Sequence, residues 1–136
     1  MSKAWILIID DDEEVRAFLH ELLWRAGYNV IEASNGREGL SLVSTILPAL
    51  IISDFNMPGM NGLEVVSELN RSFPQLGSIL LSGEIGEDLE ILTRDLGTVR
   101  VLEKPFPNER LLGLVEQMVH RPTTLPSPSR IDLLPQ

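Results

Sequence analysis

The stretch that decides the fold is AWILIIDDDEE, residues 4–14. Six apolar residues run without alternation and end abruptly in five acids. A strand with one wet face alternates apolar and polar residues, whereas a strand covered on both faces does not. The run therefore reads as a buried strand of a parallel sheet. Its acids admit two readings. They are a solvated entry to a helix, whose N-terminus favours negative charge, or some of them hold a cation.

Four further apolar runs follow: NVIEA (29–33), ALIIS (49–53), SILLS (78–82) and VRVLE (99–103). ALIIS and SILLS resemble the first run in being nearly continuous, whereas NVIEA and VRVLE alternate and suit less protected positions. Between the runs lie stripes at helical spacing. The first comprises Val15, Phe18, Leu19, Leu22, Leu23 and Ala26, stopped by Gly27, and the second Leu40, Val43 and Leu47 before Pro48. Leu63, Val66, Leu69 and Phe73 precede Pro74; Leu89, Leu92 and Leu96 precede Gly97; Leu112, Val115 and Val119 close near His120. Strand then helix, repeated, predicts an α/β fold with helices on both faces of a parallel sheet. After Arg121 the sequence RPTTLPSPSRIDLLPQ has four prolines and no helical period. It reads as a flexible tail or linker over 121–136, following one domain over 1–120.

The whole-chain properties narrow the function. The 136 residues suffice for one core, and 43% apolar with 23% charged residues is ordinary for a globular protein. A net charge of −9 opposes a sequence-independent grip on nucleic acid or on an anionic membrane. There is no cysteine, hence no disulfide framework and no thiolate metal site, which suits a cytoplasmic protein. The first apolar run is too short for a signal peptide, and no stretch reaches membrane-spanning length.

In an open parallel sheet, ligands bind beyond the carboxyl ends of the strands. The residues that end or follow the apolar runs are Asp10 and Asp11, Asp54, Ser82 and Lys104. Each has an ordinary structural explanation: an exposed turn for Asp10 and Asp11, a turn residue before NMPGMNG for Asp54, a strand-to-loop hydroxyl for Ser82, a surface lysine for Lys104. Their joint placement on one edge is what points to a site. Carboxylates brought close raise one another's pKa unless a cation intervenes. Oxygen donors without nearby His or Cys suit Mg²⁺, held by one or two carboxylates plus substrate phosphate. A carboxylate there can act as a nucleophile towards a phosphoryl group, with Ser82 and Lys104 meeting the phosphoryl oxygens.

At this point WILIIDDDEEVR, LIISDFNMPGMNGLEVV, ILLSGE and VLEKPF, in that order, resemble the receiver domain of two-component response regulators over roughly residues 4–120. The resemblance implies a flavodoxin-like (βα)5 doubly wound fold with five parallel strands in the order 2-1-3-4-5. It implies that Asp54 accepts a phosphoryl group from a sensor histidine kinase or a histidine phosphotransfer protein. Asp11 would ligate Mg²⁺ directly, Asp10 through water, and Asn56 by its backbone carbonyl. Ser82 and Lys104 would contact the phosphoryl group, Gly83 would keep the site open, and the Lys104–Pro105 bond would be cis. Asn56 and Glu84 match the pair that tunes autodephosphorylation, in a combination similar to that of the stand-alone chemotaxis response regulator, which implies a short-lived signal. Such a domain catalyses its own phosphorylation and dephosphorylation, acts on no separate small substrate, and can form a homodimer through the helix 4–strand 5–helix 5 face. The family's usual aromatic three residues before the lysine is Val101 here, so its output is either carried differently, muted or unaffected.

Two rival readings remain. One is a receiver-like interaction domain without phosphate turnover. The other is a haloacid-dehalogenase-type phosphatase using Asp10 as nucleophile and Asp12 as acid/base, although Glu109 and Glu116 are isolated where that family pairs its acids. Within the opening run, Asp10 and Asp11 are assigned to the cation site, Asp12 to the helix cap, and Glu13 and Glu14 to the first helical turn. The downstream effector is not written in the sequence.

Overall fold

The apolar runs do form one sheet. A computed structural model describes residues 4–94 and 96–120; the tail over 121–136 lies outside the described residues. The order is β1 (Trp5–Ile9), α1 (Glu13–Arg25), β2 (Asn29–Ala33), α2 (Gly36–Ile46), β3 (Leu50–Asp54), α3 (Gly62–Ser72), β4 (Gly77–Ser82), α4 (Glu87–Arg94), β5 (Val99–Glu103) and α5 (Asn108–His120). All four strand pairings are parallel, in the order β2-β1-β3-β4-β5. The three continuous apolar runs are the central strands. The two alternating runs are the edges, where one flank lacks a neighbour.

Side chains of a strand alternate between faces, and both faces are apolar here. Ile6 and Ile8 of β1 pack with Ile52, Leu81, Leu19 and Leu23 of α1, and Leu111 and Val115 of α5. Leu7 and Ile9 pack on the opposite side with Val43 of α2 and Val65 and Leu69 of α3. Val66, Leu80, Leu89 and Val99 extend that second layer towards α4. Ile6, Ile8, Ile9, Leu50, Ile51, Ile52, Ile79 and Leu80 have no exposed surface at all. Each contributes on the order of 1.5–3 kcal/mol of burial, so the central strands are heavily fixed.

The helix starts carry the expected caps. Asp12 accepts from the N–H groups of Glu14 at 2.9 Å and Val15 at 3.4 Å, with Glu13 and Glu14 in the first turn. Asn35 caps α2 through Glu38. Asn61 and Glu64 exchange bonds of 2.8 and 2.9 Å in a capping box at the head of α3.

Several boundaries differ from the sequence reading, three of them with consequences for the structure. Leu47 does not extend the α2 stripe: it is the C-cap, left-handed at φ 53° and 66% exposed. Pro48 follows it and disfavours a right-handed helical conformation there. Leu96 lies beyond the end of α4 at Arg94. Asp54 is the last residue of β3 and pairs with Leu81, so it sits inside the ladder.

Gly62 explains how α3 approaches this ladder so closely. A Cβ there would lie 2.4 Å from the Asp54 carbonyl oxygen and 2.9 Å from Phe55 Cα, and its N–H donates to Phe55 O at 2.8 Å. Backbone cannot yield as a flexible side chain can. Gly62→Ala is expected to cost about 1–3 kcal/mol through overpacking. Gly113→Ala, in the helix α5 with nothing within 4 Å of its Cβ, is expected to gain up to about 1 kcal/mol. Urea unfolding of the two variants checks both signs.

Candidate functional site

Parallel strands linked by helical crossovers bring their carboxyl ends to one edge, and backbone bonds carry the ladder past those ends. Asp10 N–H donates to Ala33 O at 3.1 Å, Phe55 N–H to Leu81 O at 2.8 Å, and Lys104 N–H to Ser82 O at 2.7 Å. The residues at the strand ends are therefore held almost as firmly as the strands.

Asp10, Asp11 and Asp54 converge there. Each offers a carboxylate oxygen within 4.8 Å of the others. Their environments differ: Asp10 and Asp54 are buried, whereas Asp11 is exposed. Asp10 Oδ1 accepts from Asp12 N–H at 2.9 Å, while Oδ2 is buried with no hydrogen-bond partner. An orphaned buried carboxylate oxygen is costly. Burial raises the Asp10 pKa above its ordinary 3.8; the Asp12 bond opposes this, Asp54 and Asp11 add to it, and Lys104 offsets part. Three hard oxygen donors, one of them unsatisfied, fit a small divalent cation such as Mg²⁺.

Lys104 reaches in from the end of β5, and its Nζ lies 2.5 Å from Asp54 Oδ1. The Lys104–Pro105 peptide is cis, as expected. Ser82, buried at the end of β4, has its hydroxyl turned to the following loop. It donates to Glu84 O at 2.7 Å and accepts from Glu84 N–H at 3.2 Å. Gly83 and Glu84 are exposed, and nothing lies within 4 Å of a Cβ built on Gly83. Asn56 is exposed just beyond β3. Asp12 is engaged in capping α1 and is absent from the carboxylate cluster, which removes the acid/base that the phosphatase reading needs. Val101 is partly buried against the Val66, Leu80, Leu89 and Val99 cluster, so it packs as core.

Sequence reasoning missed two participants. Gly62 was one turn-former among several in NMPGMNG, yet it sets the approach of α3 to the Asp54 backbone. Arg16 belonged to the polar side of α1, yet its Nη1 donates to the Asp10 carbonyl at 2.7 Å.

Known proteins share this fold. A family model described as "Response regulator receiver domain" matches residues 6–116. Response regulator MprA of Mycolicibacterium vanbaalenii is 34% identical over 118 residues, covering 87% of this chain and 51% of its own. The DNA-binding transcriptional regulator NtrC of Salmonella typhimurium is 27% identical over 133 residues, covering 98% of this chain but 28% of its own. The chain thus spans from about a quarter to about half the length of these relatives. Among solved structures, chemotaxis protein CheY4 of Vibrio cholerae superposes with a TM-score of 0.81 at 30% identity, covering 86% of this chain and 99% of that one. Five parallel strands in this order, matched by family and by fold, identify the chain as a member of the response regulator receiver domain family of two-component systems.

Proposed function

We propose that the chain is a phosphorylation-activated switch whose phosphoacceptor is Asp54. The observation that carries this reading is the convergence of three carboxylates and one lysine at the strand ends. Asp54 Oδ1 is engaged by Lys104, and its other oxygen takes no hydrogen bond from the described residues, which leaves it available as nucleophile. That oxygen forms a bond to phosphorus as the bond from phosphorus to the histidine nitrogen of a sensor kinase or phosphotransfer protein breaks. The departing imidazole retains the electron pair and takes a proton from solvent. The product is an acyl phosphate.

Asp10, Asp11, Asp54 and the Asn56 backbone carbonyl would hold Mg²⁺, which when bound supplies charge neutralisation for the phosphoryl oxygens. Lys104 provides a second positive charge, anchored by its position after β5. Ser82 contributes a donor once its hydroxyl leaves Glu84, and that rearrangement links phosphorylation to the loop before α4. Gly83 leaves the approach of the donor open. Asn56 and Glu84 flank the site and govern water's access to the acyl phosphate, so the signal is short-lived. The chain acts on no separate small substrate beyond this self-catalysed turnover.

The signal leaves through protein contacts, with the α4–β5–α5 face as a candidate homodimer surface and an effector still to be identified. Direct contact with nucleic acid or membrane is not expected of this chain, in keeping with its net charge of −9. No helix among the described residues is long and apolar enough to cross a membrane. We place it in the cytoplasm, a location that suits a sensor-kinase partner and a chain without cysteine.

Incubation with acetyl phosphate and Mg²⁺, followed by intact-mass spectrometry, tests the reading. One phosphoryl group should be gained and should decay within minutes after donor removal. Asp54→Asn, Asp11→Ala or chelation should abolish the gain, whereas Glu13→Ala should leave it unchanged. No gain in the wild type would favour a receiver-like domain without turnover, and persistence for many hours would contradict the Asn56–Glu84 reading.

Asp10 yields a second prediction. A raised pKa means that the native carboxyl binds its proton more tightly than the unfolded chain does. Its contribution to stability is therefore complete below the unfolded value and lost as pH rises through the folded one. Asp10→Asn should raise the urea midpoint of the metal-free protein at pH 7, and the gain should disappear below the ordinary carboxyl value of 3.8. A lower midpoint at pH 7 would contradict this.

A further inference from the structure

Asp10 is committed at every polar atom but one. Its N–H donates to the Ala33 carbonyl at 3.1 Å, Oδ1 accepts from Asp12 N–H at 2.9 Å, and its carbonyl oxygen accepts from Arg16 Nη1 at 2.7 Å. Only Oδ2 is left, buried and unpartnered. The first bond continues the sheet ladder and the second is local to the turn. The third comes from a side chain six residues further on, near the start of α1, and that side chain is itself braced.

Arg16 Nε donates to Glu32 Oε1 at 3.1 Å, and the other Glu32 oxygen meets His20 Nδ1 at 2.7 Å. The Arg16 side chain is 16% exposed, so it does not swing freely in solvent. A guanidinium presents its donors as a rigid planar fork. Here one prong is set by a carboxylate on the edge strand β2 and the other fixes the backbone at the end of β1. Rotation of the Asp10 peptide, which would carry its carboxylate away from those of Asp11 and Asp54, has to break a charge-assisted bond.

We propose that Arg16 is a positioning residue of the cation site: held by Glu32, it locks the turn after β1 so that the Asp10 carboxylate stays beside those of Asp11 and Asp54. This rests on the Mg²⁺ reading of the site above. An arginine near a cation site also acts as a repelling charge, and the two effects have opposite signs. Removing the charge alone tightens Mg²⁺ binding, whereas removing the lock weakens it.

Calorimetric titration of MgCl2 into the unphosphorylated full chain separates them, alongside thermal unfolding in chelator. With wild type and Arg16→Met both folded, the variant should bind Mg²⁺ about 10-fold more weakly, the lower end of the range for residues that orient metal ligands. Glu32→Gln, which keeps an acceptor for Nε but loses the ion pair, should fall between them. Unchanged or tighter binding by R16M overturns the proposal. So does a lowered melting temperature with wild-type affinity, the signature of a brace for the fold alone. Should R16M fail to fold, Arg16→Lys takes its place, keeping the charge but reaching only one acceptor: weakened binding supports the lock and wild-type affinity overturns it. A wild type that takes up no Mg²⁺ overturns the underlying site reading, whereas binding unaffected by Arg16 overturns the lock only.

Discussion

Repulsion among Asp10, Asp11 and Asp54 is the constraint around which the rest of the molecule is arranged. Their oxygens lie within 4.8 Å of one another, and burial, with the Asp54 and Asp11 charges adding to it, holds the Asp10 carboxyl above its usual range. The Lys104 ammonium meets Asp54 beside them. One oxygen of Asp10 is buried with nothing to satisfy it. Left to itself, such a cluster would relax by moving apart. Asp10 and Asp54 stay in place because they are attached to backbone that cannot move cheaply.

That rigidity has identifiable sources. The strands beneath the site are buried on both faces, so shifting one disturbs two apolar layers. Ladder bonds continue past the ends of β1, β3 and β5, extending sheet-like order to Asp10, Phe55 and Lys104. Gly62 lets α3 begin directly against the Asp54 carbonyl, closer than any side chain would permit. The buried, unpartnered Asp10 oxygen and the two carboxylates beside it are the groups that a cation would satisfy.

Much of this could be read from the residues, for definite reasons. Continuous aliphatic runs distinguish central strands from the alternating edges, because burial on two faces confines the polar residues of β3 and β4 to positions near the strand ends. Within the acidic run, Asp12 caps α1 while Asp10 and Asp11 lie near Asp54. What escaped was non-local. Leu47 has perfect helical spacing, but Pro48 beside it excludes the conformation that spacing assumes. The space between the end of β3 and the start of α3 has no local signature, so Gly62 resembled an ordinary turn glycine. Arg16 and Glu32 are sixteen positions apart on different elements, and neither pattern nor propensity couples them.

The dependence of thermal stability on Mg²⁺ bears most directly on the proposal that the acidic edge takes up a cation. A ligand that binds only the folded state at a hundredfold excess over its dissociation constant adds about 2.7 kcal/mol. For a chain of this size that corresponds to a rise on the order of 5–10 °C in melting temperature. The account predicts such a saturable rise with Mg²⁺, reversed by chelation and absent in Asp11→Ala. A melting temperature indifferent to Mg²⁺ across the millimolar range, under conditions where the chain is folded, would contradict it.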